Sequence, residues 1–223
     1  MVVTGTDAGR RAPGERAHTE RIHTERVHTE QGLERKQQLL DAAADLFASN
    51  GYATTRIADI CARAGVAKGL FYWYFETKES LFAELVRTMR LALRRTQGAA
   101  MDPAADPVQR IRQGTEASVV FMAEHRSYFA LLDVERTDET IAGVLAEGSA
   151  VYADDLRKLV IAAQDQGQLP DGDPQLFVTG VLGAVSSFSH ALRTGRVAVD
   201  TVELAAFVGD WVERALLGVV TRA

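Results

Sequence analysis

From Leu33 onward, apolar residues recur at the spacing of one helix face. Leu39, Leu40, Ala43, Leu46 and Phe47 form the first such stripe. Asn50-Gly51 ends it, because glycine takes the left-handed conformation that closes a helix. A second, short helix is expected after Thr55, a good N-cap, with Ile57, Ile60 and Ala64 on its inner face and Gly65 as its stop. A third covers about 68–75. A fourth begins at Thr77 and carries Leu81, Leu85 and Met89. Residues 98–107, rich in Ala, Asp, Pro and Gly, read as a loop between domains. Amphipathic helices then follow at about 107–124, around Tyr128, Phe129, Leu131 and Leu132, and at about 139–167. Pro170-Asp171-Gly172-Asp173-Pro174 breaks the pattern before two further helices, about 175–193 and 201–220, split by Gly195. No sustained β alternation occurs, so the expected fold is all-α.

The first 32 residues behave differently. They hold three pentapeptides, Arg16-Ala17-His18-Thr19-Glu20, Arg21-Ile22-His23-Thr24-Glu25 and Arg26-Val27-His28-Thr29-Glu30. Too little apolar material is present to offset the entropy of ordering, so 1–32 is expected to be a disordered tail. Three histidines invite a metal reading. At a step of five they would not share a helix face, which favours an extension outside the folded domain, or a start placed upstream of the native one. The segment has no apolar h-region of a secretory signal.

Composition sharpens the class. A 223-residue chain with 47% hydrophobic and 25% charged residues has the make-up of a soluble globular protein. The single cysteine, Cys61, excludes an internal disulfide and a multi-cysteine metal site. The net charge of −5 argues against a nonspecific polyelectrolyte binder. Yet residues 33–80 are locally neutral, and the excess acid lies entirely in 81–223. DNA binding then requires that basic residues gather on one face. No stretch approaches an uninterrupted membrane span, and a cytoplasmic protein is expected.

Two short helices joined by a glycine turn have the geometry of a helix-turn-helix, whose second helix enters the major groove. Ile57, Ile60, Val66 and Phe71 supply its inner face. Cys61, four residues before Gly65, sits where the helices approach most closely and a small side chain is needed. Phe71 and Phe75, four apart, are the natural core pair; Tyr72 and Trp73 are then left outside, and Tyr74 is open between the two.

The stretch Thr54 to Phe75, TTRIADICARAGVAKGLFYWYF, and its continuation Glu76-Thr77-Lys78-Glu79-Ser80-Leu81 resemble the DNA-binding signature of the TetR (tetracycline repressor) family. The resemblance is specific over about 33–82; beyond that the chain matches only in kind. It implies an N-terminal helix-turn-helix DNA-binding domain over 33–80, followed by a helical effector-binding and dimerisation domain over 81–223. It further implies a sequence-specific regulator, a repressor released from its operator by a small, mainly apolar ligand. By the same resemblance Thr55 meets a phosphate, Lys68 and Gly69 open the recognition helix, Leu70 packs or reads a methyl group, Tyr72 and Tyr74 contact phosphate or sugar, Trp73 reads bases, and Lys78 clamps a phosphate. On its residues alone, without the resemblance, Lys78 reads as a solvated lysine. Ala67 departs from the family's usual serine before the recognition helix, which loses a cap of about 1 kcal/mol.

For the body, the resemblance implies a homodimer through the helices at about 175–193 and 201–220, and an effector pocket among the middle helices. Aromatic and histidine residues there, Phe121, His125, Tyr128, Phe129, Tyr152 and Phe188, are the candidates, each equally suited to core packing. There is no Gly-rich phosphate loop, nucleophile elbow or His-Glu-x-x-His, so no catalytic residues, metal or cofactor are expected, and the chain does not read as an enzyme. A DNA-binding structural protein without a ligand is the other reading.

Overall fold

The computed structural model describes the backbone of residues 13–134 and 153–218, and the side chains of 31–132 and 153–218. In chain order the helices are α1 (Pro13–Asn50), α2 (Ile57–Ala64), α3 (Lys68–Tyr74), α4 (Lys78–Ala100), α5 (Pro107–Glu124), α6 (Arg126–Val134), α7 (153–165), α8 (Pro174–Arg193) and α9 (Thr201–Gly218). No strand occurs among the described residues.

Local chemistry explains most of the boundaries. Gly51 and Gly65 both take positive φ, 83° and 66°, and close α1 and α2. The Thr77 hydroxyl accepts the Ser80 N–H and starts α4. Asp106 and Asp173 cap α5 and α8 just ahead of a proline in the first turn. Two boundaries differ from expectation. α2 begins one residue late, with Arg56 as N-cap, because the Thr55 hydroxyl is engaged elsewhere. α1 begins at Pro13 rather than Leu33, so the backbone is helical where a disordered tail was expected. Pro13 suits a first turn, and from Glu15 to Gln31 no Pro or Gly interrupts the Arg, Glu and Gln residues that favour a helix. Residues 1–12 lie outside the described residues.

Two hydrophobic cores result. The first is the head. Leu39, Ala43 and Phe47 of α1 pack with Ile60, Phe71, Phe75, Leu81 and Leu85. Tyr128 and Leu131 of α6 belong to it as well, so a segment far along the chain returns to dock on the head. The second core, the body, gathers Val108, Ile111 and Val119 of α5 with Val160, Val178, Val181, Leu204, Val208 and Val212. α4 joins the two, so the expected boundary at residue 80 falls inside a continuous helix. Lys36 and Glu84 tie α1 to α4 at 2.5 Å. Hydrogen bonds from Arg87, and then from Lys36, hold the Glu84 carboxyl down to about 2. Arg112 ties α5 to α9 through Asp210 and Glu213, at 2.6 and 3.1 Å. α8 is long and apolar enough to cross a membrane by length and composition, and much of it is exposed.

Candidate nucleic-acid interface and ligand cavity

Phe71 and Phe75 are buried in the head, which turns the residues between them outward. Tyr72 is 50% exposed and Trp73 74%. Lys68 and Gly69, in the first turn of α3, are exposed too, and Leu70 is half-buried. The Lys68 ammonium lies 5.8 Å from the Tyr72 ring centroid and forms no ion pair among the described residues. Three other cations of the head are paired with carboxylates, Arg56 with Asp59 at 3.0 Å, Arg63 with Asp45 at 3.0 Å, and Lys36 with Glu84, while among the described residues Arg35 bonds only the Gln38 amide at 2.9 Å. In a locally neutral head, the cations with no ion pair among the described residues therefore include Lys68 on α3 and Arg35 on α1.

Three residues expected to touch DNA make bonds within the head: Thr55 is buried, and Tyr74 and Lys78 are half-buried. Thr55 is buried, and its hydroxyl donates to the carbonyls of Gly51 (2.8 Å) and Leu46 (3.3 Å). It fastens the end of α1 and is not available to a phosphate. The Tyr74 hydroxyl donates to the Gly32 carbonyl at 2.7 Å, anchoring α3 to α1. A Cβ on Gly32 would stand 3.3 Å from that hydroxyl, so the missing side chain permits the approach. The Lys78 ammonium donates to the carbonyls of Tyr52 (2.7 Å), Thr55 (3.0 Å) and Ala53 (3.4 Å), and lies 4.2 Å from the Tyr52 ring centroid. An ammonium has three N–H donors, so this clasp uses them all. Lys78 secures the α1–α2 loop.

Ala67 is the N-cap of α3 and makes no side-chain cap bond. Cys61 is buried in the head, and burial pushes its thiol up from the ordinary range.

The expected ligand residues do not meet in one cavity. Phe121 is buried and stacks on His125 at 4.0 Å; the His125 Nδ1 lies 2.9 Å from the Phe121 carbonyl at the end of α5. Tyr128 belongs to the head core, where burial pushes its hydroxyl up to about 12, and Phe129 packs against that core. Phe188 packs edge-on to Phe207 and Trp211. Tyr152 lies outside the described residues. These side chains fill the joint between head and body or the α8–α9 surface because large aromatics are consumed in packing.

A cavity of about 440 Å³ opens elsewhere, between α4, α5, α7 and α8. Met101, Ile111, Leu156, Leu159 and Val181 line its apolar part; Arg94, Gln97, Arg110, Thr115, Asp155 and Lys158 add polar groups. Its lining is mainly apolar, with charged groups from three helices added. Arg94 pairs with Asp155 at 2.6 Å. The Arg110 Nε is buried without a partner among the described residues. Buried Gln97 and Thr115 were the available sequence signal: both are polar residues on apolar helix faces. Among the described residues no group of three or more His, Cys, Asp or Glu is placed to hold a metal.

Residues 39–85 match the family model of bacterial regulatory proteins, tetR family. The chain is 30% identical over 146 residues to the probable acrEF/envCD operon repressor of Escherichia coli (strain K12), across 61% of this chain and 66%, just under two thirds, of that relative. In fold it is similar to the fatty acid degradation regulator FadR from Bacillus halodurans (TM-score 0.72, 21% identity, covering 80% of this chain and 94% of that one). It is similar also to FadR from Bacillus subtilis, solved in complex with stearoyl-CoA (TM-score 0.70, 20% identity, covering 79% and 96%).

Proposed function

We propose that the chain, whose residues 39–85 match the model of bacterial regulatory proteins, tetR family, is a cytoplasmic, sequence-specific repressor released from its operator by a small ligand. The observation that carries the DNA-binding reading is the outer face of α3. Lys68, Tyr72 and Trp73 stand exposed on a short helix after a glycine turn, with the lysine unpaired among the described residues. Such a helix enters the major groove, where lysine donates to guanine acceptors and apolar or aromatic side chains meet thymine methyls.

Groove binding of this kind is dimeric, with recognition helices about 34–36 Å apart or a multiple of that. The α8–α9 surface suits a second copy. Leu176, Val202, Phe207, Trp211 and Leu217 are all exposed on these two helices, and exposed apolar patches mark interaction surfaces. This accounts for the apolar length of α8 without a membrane.

The effector cavity in this reading is the one between α4, α5, α7 and α8. A structural relative was solved with stearoyl-CoA, which supports a ligand that combines an apolar chain with an anionic group. Met101, Ile111 and Leu159 suit the first, and Arg110 the second. α4 carries the coupling. Arg94, Gln97 and Met101 line the cavity at one end of α4, while Leu81, Phe82 and Leu85 are packed in the head at the other. A ligand that tilts α4 changes the spacing of the two recognition helices. Transcriptional regulation, rather than catalysis, is the activity this arrangement serves.

The test selects bound sequences from random DNA, then titrates a fatty acyl-CoA into protein with and without saturating operator. A two-half-site sequence should be enriched, and the ligand should bind the DNA-bound protein more weakly by the same factor as it weakens DNA binding. Failure to enrich any sequence overturns the DNA-binding reading. Equal ligand affinities overturn the switch.

A further inference from the structure

A second cavity, of about 230 Å³, lies where α5 gives way to α6 and α8 gives way to α9. Val119, Met122, Arg126, Ser189, Arg193 and Thr201 are among its walls. It is distinct from the effector cavity. The two share no wall residue, and its α8 residues begin eight positions beyond Val181, roughly 12 Å at 1.5 Å per residue.

The walls include a group that asks for a ligand. Ser189 is 5% exposed, and its hydroxyl has no hydrogen-bond partner among the described residues. Buried polar groups are almost always paired, so an orphan needs an explanation. A helical serine has an easy internal remedy, the carbonyl four residues back. Ser118 takes it, donating to Gly114 at 2.6 Å; Ser189 does not.

Charge points the same way. Arg126 gives one N–H to the Arg193 carbonyl at 3.0 Å and has no carboxylate partner among the described residues. A guanidinium has five N–H donors, so most of them remain available. The Arg193 side chain adds a second cation to the wall. Asp200 is the one acid there, and it is already committed: its carboxylate accepts the Val202 and Glu203 N–H groups at the start of α9, at 2.8 and 3.4 Å. Helix amides favour such an anion and offset its charge.

We propose that this cavity is a second ligand site, specific for a small oxyanion, a carboxylate or a phosphate, bearing at most a short apolar group. Ser189 donates to one ligand oxygen, Arg126 pairs with the charge, and Val119 and Met122 cover the apolar part. The volume, below the range of sites for drug-sized ligands, limits the ligand to a small metabolite.

The experiment is a calorimetric titration of the full chain with butyrate, with inorganic phosphate and with uncharged butyramide, each up to about 10 mM, a range that detects millimolar affinity. Ser189→Ala, Arg126→Gln and Arg110→Gln are titrated alongside the parent chain. At least one oxyanion should bind the parent and butyramide should not. Ser189→Ala and Arg126→Gln should each weaken binding about tenfold, the scale of a hydrogen bond to a charged group. Arg110→Gln, in the effector cavity, should leave it unchanged. Phosphate binding without butyrate identifies a phosphate; the reverse identifies a carboxylate. Should Ser189→Ala fail to fold, exposed Arg126→Gln decides. The proposal is overturned if neither oxyanion binds, if both variants bind as the parent does, or if only Arg110→Gln loses binding. A resident water on Ser189 would give the second of these results.

Discussion

Lys68 and Lys78 flank the same short helix and do opposite work. Lys68 opens α3, carries an unpaired charge and faces solvent beside Tyr72 and Trp73. Lys78 opens α4, gives its N–H groups to three carbonyls of the α1–α2 loop and sits over the Tyr52 ring. The same division runs through the neighbouring tyrosines: Tyr72 is outside, while Tyr74 is tethered to Gly32. Lys36, Arg56 and Arg63 of the head are each paired with a carboxylate. Lys68 forms no ion pair among the described residues and stands on a helix whose position is held from behind.

The largest expected effect tests the holding side. Lys78→Met removes the donor shared by three carbonyls and should destabilise the head by about 2–3 kcal/mol, since unmade bonds to partly buried groups are costly. Urea unfolding measures it. Unchanged stability with lost operator affinity would instead return Lys78 to the role of a phosphate clamp and dissolve the contrast.

The facing side predicts the mirror image. Lys68→Ala and Trp73→Ala should each weaken binding to the selected operator by roughly 1–3 kcal/mol, while the unfolding midpoint stays within error of the parent. Fluorescence anisotropy on labelled operator reads the first quantity and the urea curve the second. Wild-type affinity in both variants would show that the exposed face of α3 is not the reading face.

The smallest effect sharpens the comparison at the junction between the two sides. Ala67 caps α3 without a side-chain bond. Ala67→Ser should add stability of about 0.5–1 kcal/mol by accepting a free N–H of the first turn. A thermal melt that does not rise would mean those N–H groups are already satisfied in solution.

Much of the fold was legible because it is local. The Phe71–Phe75 pair, the glycine stops at 51 and 65 and the Thr77 cap follow from side-chain period and backbone conformation over a few residues. The exposure of Tyr72 and Trp73 followed from the same period. The expected ligand residues share no cavity for a physical reason: Phe121, Tyr128, Phe129 and Phe188 are large and apolar, and such residues fill joints before they line openings. The cavity that does open is bordered by Arg94, Arg110 and Lys158, whose long side chains look like ordinary surface charges in a linear reading. The start of α1 was missed because composition argued from the lack of a core, whereas the helix continues on backbone propensity from Pro13.

By itself the sequence determined that the chain is helical, where its turns lie, which aromatics of α3 face inward, and which family it resembles. Those properties depend on neighbours within about one helical turn. Only the tertiary structure decided which polar side chains face solvent and which hold the head together. Tyr74 finds Gly32 across 42 positions, Lys78 finds Tyr52 across 26, and Lys36 finds Glu84 across 48. A lysine or tyrosine has the same donors in either role. What it does is set by whether a buried carbonyl or carboxylate comes within reach once distant segments have packed, and no local pattern records that distance.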